Sequence, residues 1–194
     1  MMPRQQRILD EKDRQIISLL AKNPEASQSL IAQQVNLSQP SVGARIQRLK
    51  KEGAIAFLVG MNFKRIGLHL AKVEVATRNI EQVLSPIKNC PYFLNGLIVS
   101  GQNNLCLLFI GEDIASLEAF VDKHVRRNPE VNNAQFDIVA SSSNDFIVPV
   151  ELSFQKEDQP PCEEACNCPQ CASYEMERCK GCPASEYYRG TFWH

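Results

Sequence analysis

Cysteine is the reactive residue type that is most strongly clustered in this sequence. Six of the eight cysteines lie in the segment CEEACNCPQCASYEMERCKGC, residues 162–182. Two pairs in it are separated by only two residues, and this spacing lets one tight turn present two thiolates to the same metal ion. We therefore predict a C-terminal metal-binding segment whose ligands are Cys162, Cys166, Cys168, Cys171, Cys179 and Cys182.

The spacing leaves the identity of the metal open. Zinc is the first choice, because four thiolates suit a structural tetrahedral site. Proline follows Cys168 and Cys182, as it often follows a cysteine that binds an iron–sulfur cluster, so a cluster is the second choice. The spacing of Cys166 and Cys168 also suits copper(I), the third choice. Few apolar residues surround these cysteines, so we expect the metal to supply the free energy that folds the segment.

The rest of the sequence points to a cytoplasmic protein without a membrane partner. The N-terminus, MMPRQQRILDEKDRQ, has charged residues where a secretory signal peptide has its apolar core. The longest apolar run, Leu105–Gly111, is far shorter than the roughly 20 residues of a membrane-spanning helix. In a reducing compartment, metal ligation explains clustered cysteines better than disulfide bonds do.

The N-terminal third of the chain is basic, although the whole chain is nearly neutral. Residues 1–65 contain eleven Lys or Arg against five Asp or Glu, whereas the formal net charge of the chain is -1. A compact basic region can neutralise the phosphates that dominate affinity for nucleic acid. The same excess can also be an ordinary solvated surface, so the pattern of residues within the region has to decide.

Three short amphipathic helices are predicted in this basic region. Apolar residues recur at helical spacing in LDEKDRQIISLLAKN and in SQSLIAQQV, where Ser27 or Ser29 can cap the helix. The third helix starts at the N-cap Ser38, tolerates Pro40 in its first turn and ends at Gly53.

The face of the third helix opposite its apolar stripe carries side chains that suit DNA recognition. Arg and Gln are long enough to reach base edges in the major groove, where the second helix of a helix-turn-helix motif inserts. We predict a helix-turn-helix DNA-binding domain that contacts DNA through Gln39, Ser41, Ala44, Arg45, Gln47, Arg48 and Lys51. A three-helix core with a basic surface is the alternative.

The stretch from Ile8 to Gly67 resembles the N-terminal domain of the leucine-responsive (Lrp/AsnC) transcription regulators. The shared features are a Leu-Asp-x-x-Asp-x-x-Ile start, a Leu-Ser turn, an Arg-hydrophobic-x-Arg-Leu recognition helix and a Gly-hydrophobic-Ile hairpin. The resemblance implies a winged helix-turn-helix that binds double-stranded DNA. It also implies assembly as a homodimer or a higher homo-oligomer.

The resemblance implies a second domain of βαββαβ type, and the residue pattern agrees with it. Strand patterns occur in HLAKVEVAT, LNGLIVSG, NLCLLFIGED and VNNAQFDIVAS, and helix patterns in IEQVLSPIKN and IASLEAFVDKHVRRN. This order predicts a ferredoxin-like antiparallel sheet with two helices on one face. The segment NDFIVPVELSF is expected to add an edge strand.

In the Lrp/AsnC family a small effector such as an amino acid binds near the turn that joins the second and third strands of this domain. The matching residues here are Ser100, Gly101, Gln102, Asn103 and Asn104. Asn104 stands where the family more often has an aspartate, and an amide is a poorer counter-charge for an amino group than a carboxylate. A simple tight hairpin is the alternative, because Asn and Gly tolerate positive φ.

The chain is therefore predicted to be an α+β protein in three parts. Residues 1–65 form the helix-turn-helix domain, 66–155 the ferredoxin-like ligand-binding and oligomerisation domain, and 156–194 the cysteine-rich metal-binding segment. The expected function is sequence-specific transcription regulation, modulated by the metal or redox state of the cysteines.

Two other functions are compatible with parts of this pattern. One is a siroheme-decarboxylase-like enzyme on the same fold, and the other is a metal-handling protein. The basic recognition helix argues against the enzyme. The histidines His69 and His124 and the pair Cys90 and Cys106 are too scattered in the sequence to indicate catalysis, and Cys106, inside an apolar strand, is expected to pack in the core.

Overall fold

Side-chain caps fix the start of the three N-terminal helices in the computed structural model, which describes residues 9–156 and 168–193. Asp10 accepts a hydrogen bond from the Asp13 backbone amide, Ser27 caps the second helix and Ser38 caps the third. Gly53 follows the third helix with a φ of 71°, as the sequence predicted. The helices are α1 (Glu11–Lys22), α2 (Gln28–Val35) and α3 (Gln39–Lys51).

These three helices form the first of two units in the chain, Met1–Leu58. Their apolar stripes meet in a core that contains Ile16, Leu20, Ile31, Ala32, Val35, Val42 and Ile46. Burial of a side chain the size of Ile or Leu contributes about 1.5–3 kcal/mol, so this core holds the three short helices together. Residues 54–60, where the resemblance implies a hairpin, contain no strand in the described structure.

The second unit, Val59–His194, contains the predicted antiparallel sheet. Its strands and helices follow the predicted order, and this confirms the α+β fold. A π-helical turn, Asp122–Arg126, continues the second of the two helices. The elements are β1 (Met61–Asn62), β2 (His69–Thr77), α4 (Ile80–Leu84), β3 (Phe93–Ile98), β4 (Leu105–Gly111), α5 (Ile114–Val121) and β5 (Val131–Ile138).

The four long strands pair in the order β3-β4-β2-β5, with every neighbour antiparallel. Alternation along β2 and β4 buries one face, on which Val73 and Val75 lie opposite Leu107 and Leu105. Leu117 of α5 and Val83 of α4 belong to the same core.

The opposite face of the sheet carries charged residues at its centre. Lys72 contacts Glu74 at 3.0 Å within β2 and Asp137 of β5 at 3.3 Å. All three side chains are more than a third exposed, so this surface ion pairing contributes little to stability. Further out on this face, Leu97 of β3 is an exposed apolar residue. Its neighbour Ile98, which belongs to the other face, is also exposed.

The predicted edge strand after residue 144 does not join the main sheet. Its strand, β6 (Ile147–Val148), pairs antiparallel with β1 to make a separate two-stranded sheet. Asn62 of β1 donates a hydrogen bond to Asp145 at 2.8 Å just before this pair. The segment therefore contains a short strand, but the backbone partner of this strand is β1 and not the main sheet.

The described part of the C-terminal segment packs onto the second unit through aromatic residues. Trp193 has no exposed surface and contacts the rings of Tyr92, Tyr188 and Phe192. Its indole N–H donates to the Glu151 carbonyl at 3.0 Å. The segment also contains a 3-10 turn (Cys168–Gln170) and α6 (Ala172–Glu175). Its described residues thus share the core of the sheet unit, whereas the sequence pattern suggested a separate metal-folded module.

A buried carboxylate supplies a second attachment for the C-terminal segment. The side chain of Glu112 is only 9% exposed and accepts hydrogen bonds from the Tyr188 hydroxyl at 2.7 Å and the Thr191 amide at 3.1 Å. The Lys180 ammonium lies 3.6 Å from the same carboxylate. Burial, together with the hydrogen bond to Glu112, raises the pKa of the Tyr188 hydroxyl, which therefore stays a donor at neutral pH.

Among the described residues, none of the helices has the length and apolar character needed to cross a membrane.

Truncation of Trp193 tests whether the C-terminal segment shares the core of the second unit. Trp193→Ala should lower the free energy of unfolding of this unit by about 3–5 kcal/mol, because it removes ring contacts and leaves a cavity. Hydrogen exchange of the β2 and β4 amides measures the loss for this unit alone. Met176 in the same segment is 68% exposed, and Met176→Ala should stay within about 0.5 kcal/mol of the unsubstituted protein. A similarly small loss for both variants would contradict the docking.

Candidate functional site

The predicted DNA-contacting residues of α3 divide into two groups in the structure. Arg45 and Arg48 are partly buried. The other members of the predicted set lie on the exposed face of α3, which is opposite the buried stripe of Val42, Ile46 and Leu49. These exposed residues are Gln39, Ser41, Ala44, Gln47 and Lys51.

The two arginines bind a carboxylate on α1. Arg45 donates to Asp13 at 2.8 Å and to Asp10 at 2.5 Å. Arg48 donates to the other oxygen of Asp13 at 2.5 Å. The side chain of Asp13 is only 3% exposed, whereas those of Arg45 and Arg48 are 26% and 34% exposed. The ion pairs therefore join α1 to α3 across the core of the first unit.

The environment of Asp13 keeps this carboxylate charged. Its burial by itself raises the pKa, but the hydrogen bonds from Arg45 and Arg48 outweigh burial and hold the pKa of Asp13 below its usual value. The hydrogen bond from Arg45 is also the main cause of the lowered pKa of Asp10. A buried charge is tolerated only where such partners are present.

Sequence reasoning assigned Arg45 and Arg48 to the DNA and missed Asp13. A signal for the ion pairs was present, because Asp13 lies three and seven residues before Ile16 and Leu20 and so shares the buried face of α1. A carboxylate on a buried helix face needs cationic partners, and the basic third helix is the nearby source of them.

The turn predicted to hold a small effector, residues 100–104, is tied to β2 by its own side chains. The Asn104 amide donates to the Thr77 carbonyl at 2.9 Å and accepts from the Thr77 amide at 3.0 Å. Asn103 donates to Glu74 at 3.3 Å. Gly101 has a φ of 132°, which is a conformation that favours glycine. Asn104 thus completes the backbone pairing at the end of β2 and uses its amide in doing so.

The four described cysteines of the C-terminal segment line one cavity of about 480 Å³. They are Cys168, Cys171, Cys179 and Cys182. The opposite wall comes from the body of the sheet unit and includes Cys90, Tyr92, Phe120 and His124. Within residues 9–156 and 168–193, no three His, Cys, Asp or Glu side chains are grouped closely enough to hold a metal ion.

Tight turns place the cysteine pairs on this cavity. The Cys171 amide donates to the Cys168 carbonyl at 3.0 Å, which closes the first turn. In the second turn the Gly181 amide donates to the Cys179 sulfur at 3.5 Å. Gly181 has a φ of 85°, and a Cβ there would lie 2.7 Å from a backbone oxygen, so the turn requires glycine.

Hydrogen bonds from the sheet unit hold the second cysteine turn in place. The buried Tyr92 hydroxyl donates to the Gly181 carbonyl at 2.7 Å. The Lys180 amide donates to the Ser116 hydroxyl at 2.9 Å. Burial raises the pKa of Tyr92 well above its usual value, so its hydroxyl remains protonated. Sequence reasoning considered Cys90 and His124 too scattered to form a site, but the fold brings both to this cavity.

Comparison with known proteins supports a regulatory role for the first unit. A family described as winged helix-turn-helix DNA-binding matches residues 9–56. The uncharacterized HTH-type transcriptional regulator PH0140 of Pyrococcus horikoshii is 27% identical over 137 residues, covering 69% of this chain and 87% of the relative. The uncharacterized HTH-type transcriptional regulator PYRAB04820 of Pyrococcus abyssi is 30% identical over 98 residues, covering 46% of this chain and 67% of the relative.

Solved structures share the fold of most of this chain. The crystal structure of PH0061 has a TM-score of 0.64 at 22% identity and covers 73% of this chain and 99% of its own. AsnC of E. coli has a TM-score of 0.60 at 15% identity, and the match covers 71% of this chain and 96% of AsnC. LrpC of B. subtilis has a TM-score of 0.60 at 24% identity, and the match covers 71% of this chain and 99% of LrpC. More than a quarter of this chain therefore has no counterpart in these structures.

Neutralising Asp13 tests the role of the ion pairs between α1 and α3. Asp13→Asn should lower the free energy of unfolding of the first unit by about 2–3 kcal/mol at neutral pH, somewhat less than a fully buried pair would lose, since both arginines keep some contact with water. A lowered folded-state pKa stabilises the fold above the unfolded value of about 3.9, and this stabilisation disappears as the pH falls through the folded-state pKa. The difference between the two proteins should thus shrink below about pH 4 in denaturant titrations.

The exposed neighbour Glu11 provides the control for this test. Glu11→Gln changes the same charge on the same helix, where the carboxylate contacts only Gln15 at 3.3 Å among the hydrogen bonds of the described structure. It should change stability by less than about 0.5 kcal/mol. Equal losses for Asp13→Asn and Glu11→Gln would mean that helix charge, rather than the ion pairs, sets the stability.

Proposed function

The chain belongs to the HTH-type transcriptional regulators, and from this premise we propose that it is an Lrp/AsnC-type regulator that binds specific double-stranded DNA sites in the cytoplasm as a homodimer or higher homo-oligomer. Its relatives are named as transcriptional regulators, and the protein is a non-enzyme regulator like them. The proposal rests above all on the exposed polar face of α3 in the basic first unit.

Five exposed residues of α3 are the proposed DNA-contacting set. Gln39 and Gln47 have side-chain amides that can pair with base edges in the major groove, and Gln39 also donates to Gln28 at 3.3 Å. Lys51 supplies charge for a phosphate, while Ser41 and Ala44 let the helix approach the groove closely. Arg45 and Arg48 instead position α3 through Asp13. In the proposed function they act on DNA affinity mainly by fixing the helix.

The proposed dimer uses the second unit. Leu97 on β3 and Val99 just after it are 47% and 40% exposed, and side chains two residues apart on an extended chain point to the same side. Exposed apolar side chains that lie together are typical of a surface that meets another protein. Two copies related by a two-fold axis would present two recognition helices to a roughly palindromic site, as helix-turn-helix dimers do.

The C-terminal cysteines are the proposed input to the regulator, through a bound metal or through their redox state. Zinc, an iron–sulfur cluster and copper(I) are the candidate groups, in the order that the spacing favours. The position of the cysteine turns supports this input, because Lys180 and Gly181 bond directly to Ser116 at the start of α5 and to Tyr92.

A small-molecule effector at the turn Ser100, Gly101, Gln102, Asn103 and Asn104 is the second proposed input. The bonds of Asn104 to Thr77 leave its amide engaged, so the remaining residues of the turn would make the contacts. The cysteine segment is therefore the favoured input, and the turn is secondary.

Substitution of Gln47 tests the DNA-contacting face without touching the ion pairs. Gln47→Ala should weaken binding to the specific site by about 1–3 kcal/mol and leave non-specific binding nearly unchanged, since a base contact is lost. Lys51→Ala should weaken both and reduce the slope of log K against log salt by about one. Lys22→Ala on the exposed end of α1 is the charge-matched control. Unchanged binding by both α3 variants in fluorescence anisotropy titrations would overturn the proposed interface.

Comparison of metal states tests the proposed input. The DNA affinity of the metal-loaded, metal-stripped and oxidised protein is measured at fixed salt, because phosphate contacts make affinity depend strongly on ionic strength. A change of at least about fivefold between states, the lower end of typical allosteric coupling, is expected. Equal affinities in all three states would remove the cysteines as the input and leave DNA binding itself intact.

A further inference from the structure

We propose that the cavity between the C-terminal segment and the sheet unit holds a [4Fe–4S] cluster bound by Cys168, Cys171, Cys179 and Cys182. The proposal deepens the metal input proposed above and rests on it, since it names the group that the cysteines bind. It also assigns as ligands the four cysteines of the described segment, whereas the other two predicted ligands, Cys162 and Cys166, lie outside the described residues.

The first support is that the fold brings four cysteines to the lining of one cavity. Two short turns separated by seven residues place their cysteines on the same 480 Å³ cavity. The turns reach it because the body of the unit holds them there, through Tyr92 and Ser116. Four cysteine thiolates are the usual ligand set of a [4Fe–4S] cluster.

The second support is the size of the cavity. The four cysteines and thirteen other residues line a space of about 480 Å³. A single zinc ion binds thiolates at about 2.3 Å and needs only the space between four closely placed sulfurs. A cluster of four irons and four sulfides needs more room, and a cavity of this size offers it.

The third support is the character of the walls. The rings of Tyr92, Phe120 and Tyr174 form part of the lining, which also includes the charged residues Asp122, Lys123 and Arg127. Aromatic rings limit the access of water to a neighbouring cluster, and burial together with hydrogen bonds to sulfur tunes the potential of a cluster. The Gly181 amide already donates such a bond to the Cys179 sulfur. Proline follows both Cys168 and Cys182, as is frequent after cluster-binding cysteines.

The body of the sheet unit closes the cavity with side chains of its own. Cys90 and His124 lie on the wall opposite the cysteine turns, and His124 stacks on Phe120 with ring centroids 4.5 Å apart. A cluster in this position would touch both the C-terminal segment and the end of α5. Binding or loss of the cluster would therefore change contacts within the unit that is proposed to form the dimer.

The test is the composition of the full-length protein purified without oxygen from cells supplied with iron. Iron, acid-labile sulfide and zinc are measured per chain together with the visible absorption spectrum. The expected result is roughly four iron and four sulfide per chain and a brown protein, which is the composition of a [4Fe–4S] cluster. One zinc per chain without sulfide, or a colourless protein in which the cysteines form disulfides, would overturn the proposal.

Matched serine variants test the ligand set. Cys171→Ser and Cys179→Ser should each lose most of the iron and sulfide, whereas the double variant Cys162→Ser/Cys166→Ser should keep both. Retention by the first two, or loss by the double variant, would overturn the assignment. Emission of Trp193, the single tryptophan, reports whether each variant keeps the segment docked, because its indole is fully buried.

These measurements do not involve DNA, so they separate the two proposals. A protein that binds its DNA site but contains no iron would refute the cluster alone. A protein that contains the cluster but has no specific DNA affinity would refute the regulatory function alone. If a serine variant undocks the segment, the iron and sulfide content of the unsubstituted protein still decides for or against the cluster.

Discussion

The buried carboxylate of Asp13 is the constraint on which the recognition surface depends. A charge with 3% exposure on the apolar face of α1 requires cationic partners, and the fold supplies Arg45 and Arg48 from α3. Satisfying this one group sets the position of α3 relative to α1, and so sets which of its residues face solvent. Gln47 and Lys51 are exposed as a result. Arg45 and Arg48, which the sequence predicts as DNA contacts, hold α3 against α1 through Asp13.

The C-terminal segment is likewise held in place by contacts with residues distant in the sequence. Its few apolar residues would not fold alone, yet Trp193 enters the core of the sheet unit and Glu112 bonds to Tyr188 and Thr191. These contacts bring the cysteine turns to a fixed wall that includes Tyr92. The described part of the segment is thus anchored to the sheet unit by packing and hydrogen bonds.

The two proposed inputs to the regulator differ in the surroundings of their side chains. At the turn between β3 and β4, the side-chain amide of Asn104 bonds to the backbone of Thr77 and so forms part of the sheet. The four described cysteines of the C-terminal segment instead line one cavity together with aromatic rings.

Local patterns in the sequence determined the elements and the fold class. The caps at Ser38 and Gly53 and the alternation along β2 depend on residues only a few positions apart, so they can be found without a structure. Only the tertiary structure decided the roles of Arg45 and Arg48, whose carboxylate partner lies more than thirty residues earlier. The same holds for Cys90 and His124, which reach the cysteine cavity through the docking of a segment distant in sequence. Such contacts depend on how elements pack, and packing follows from the burial of the whole core, which no short window of sequence contains.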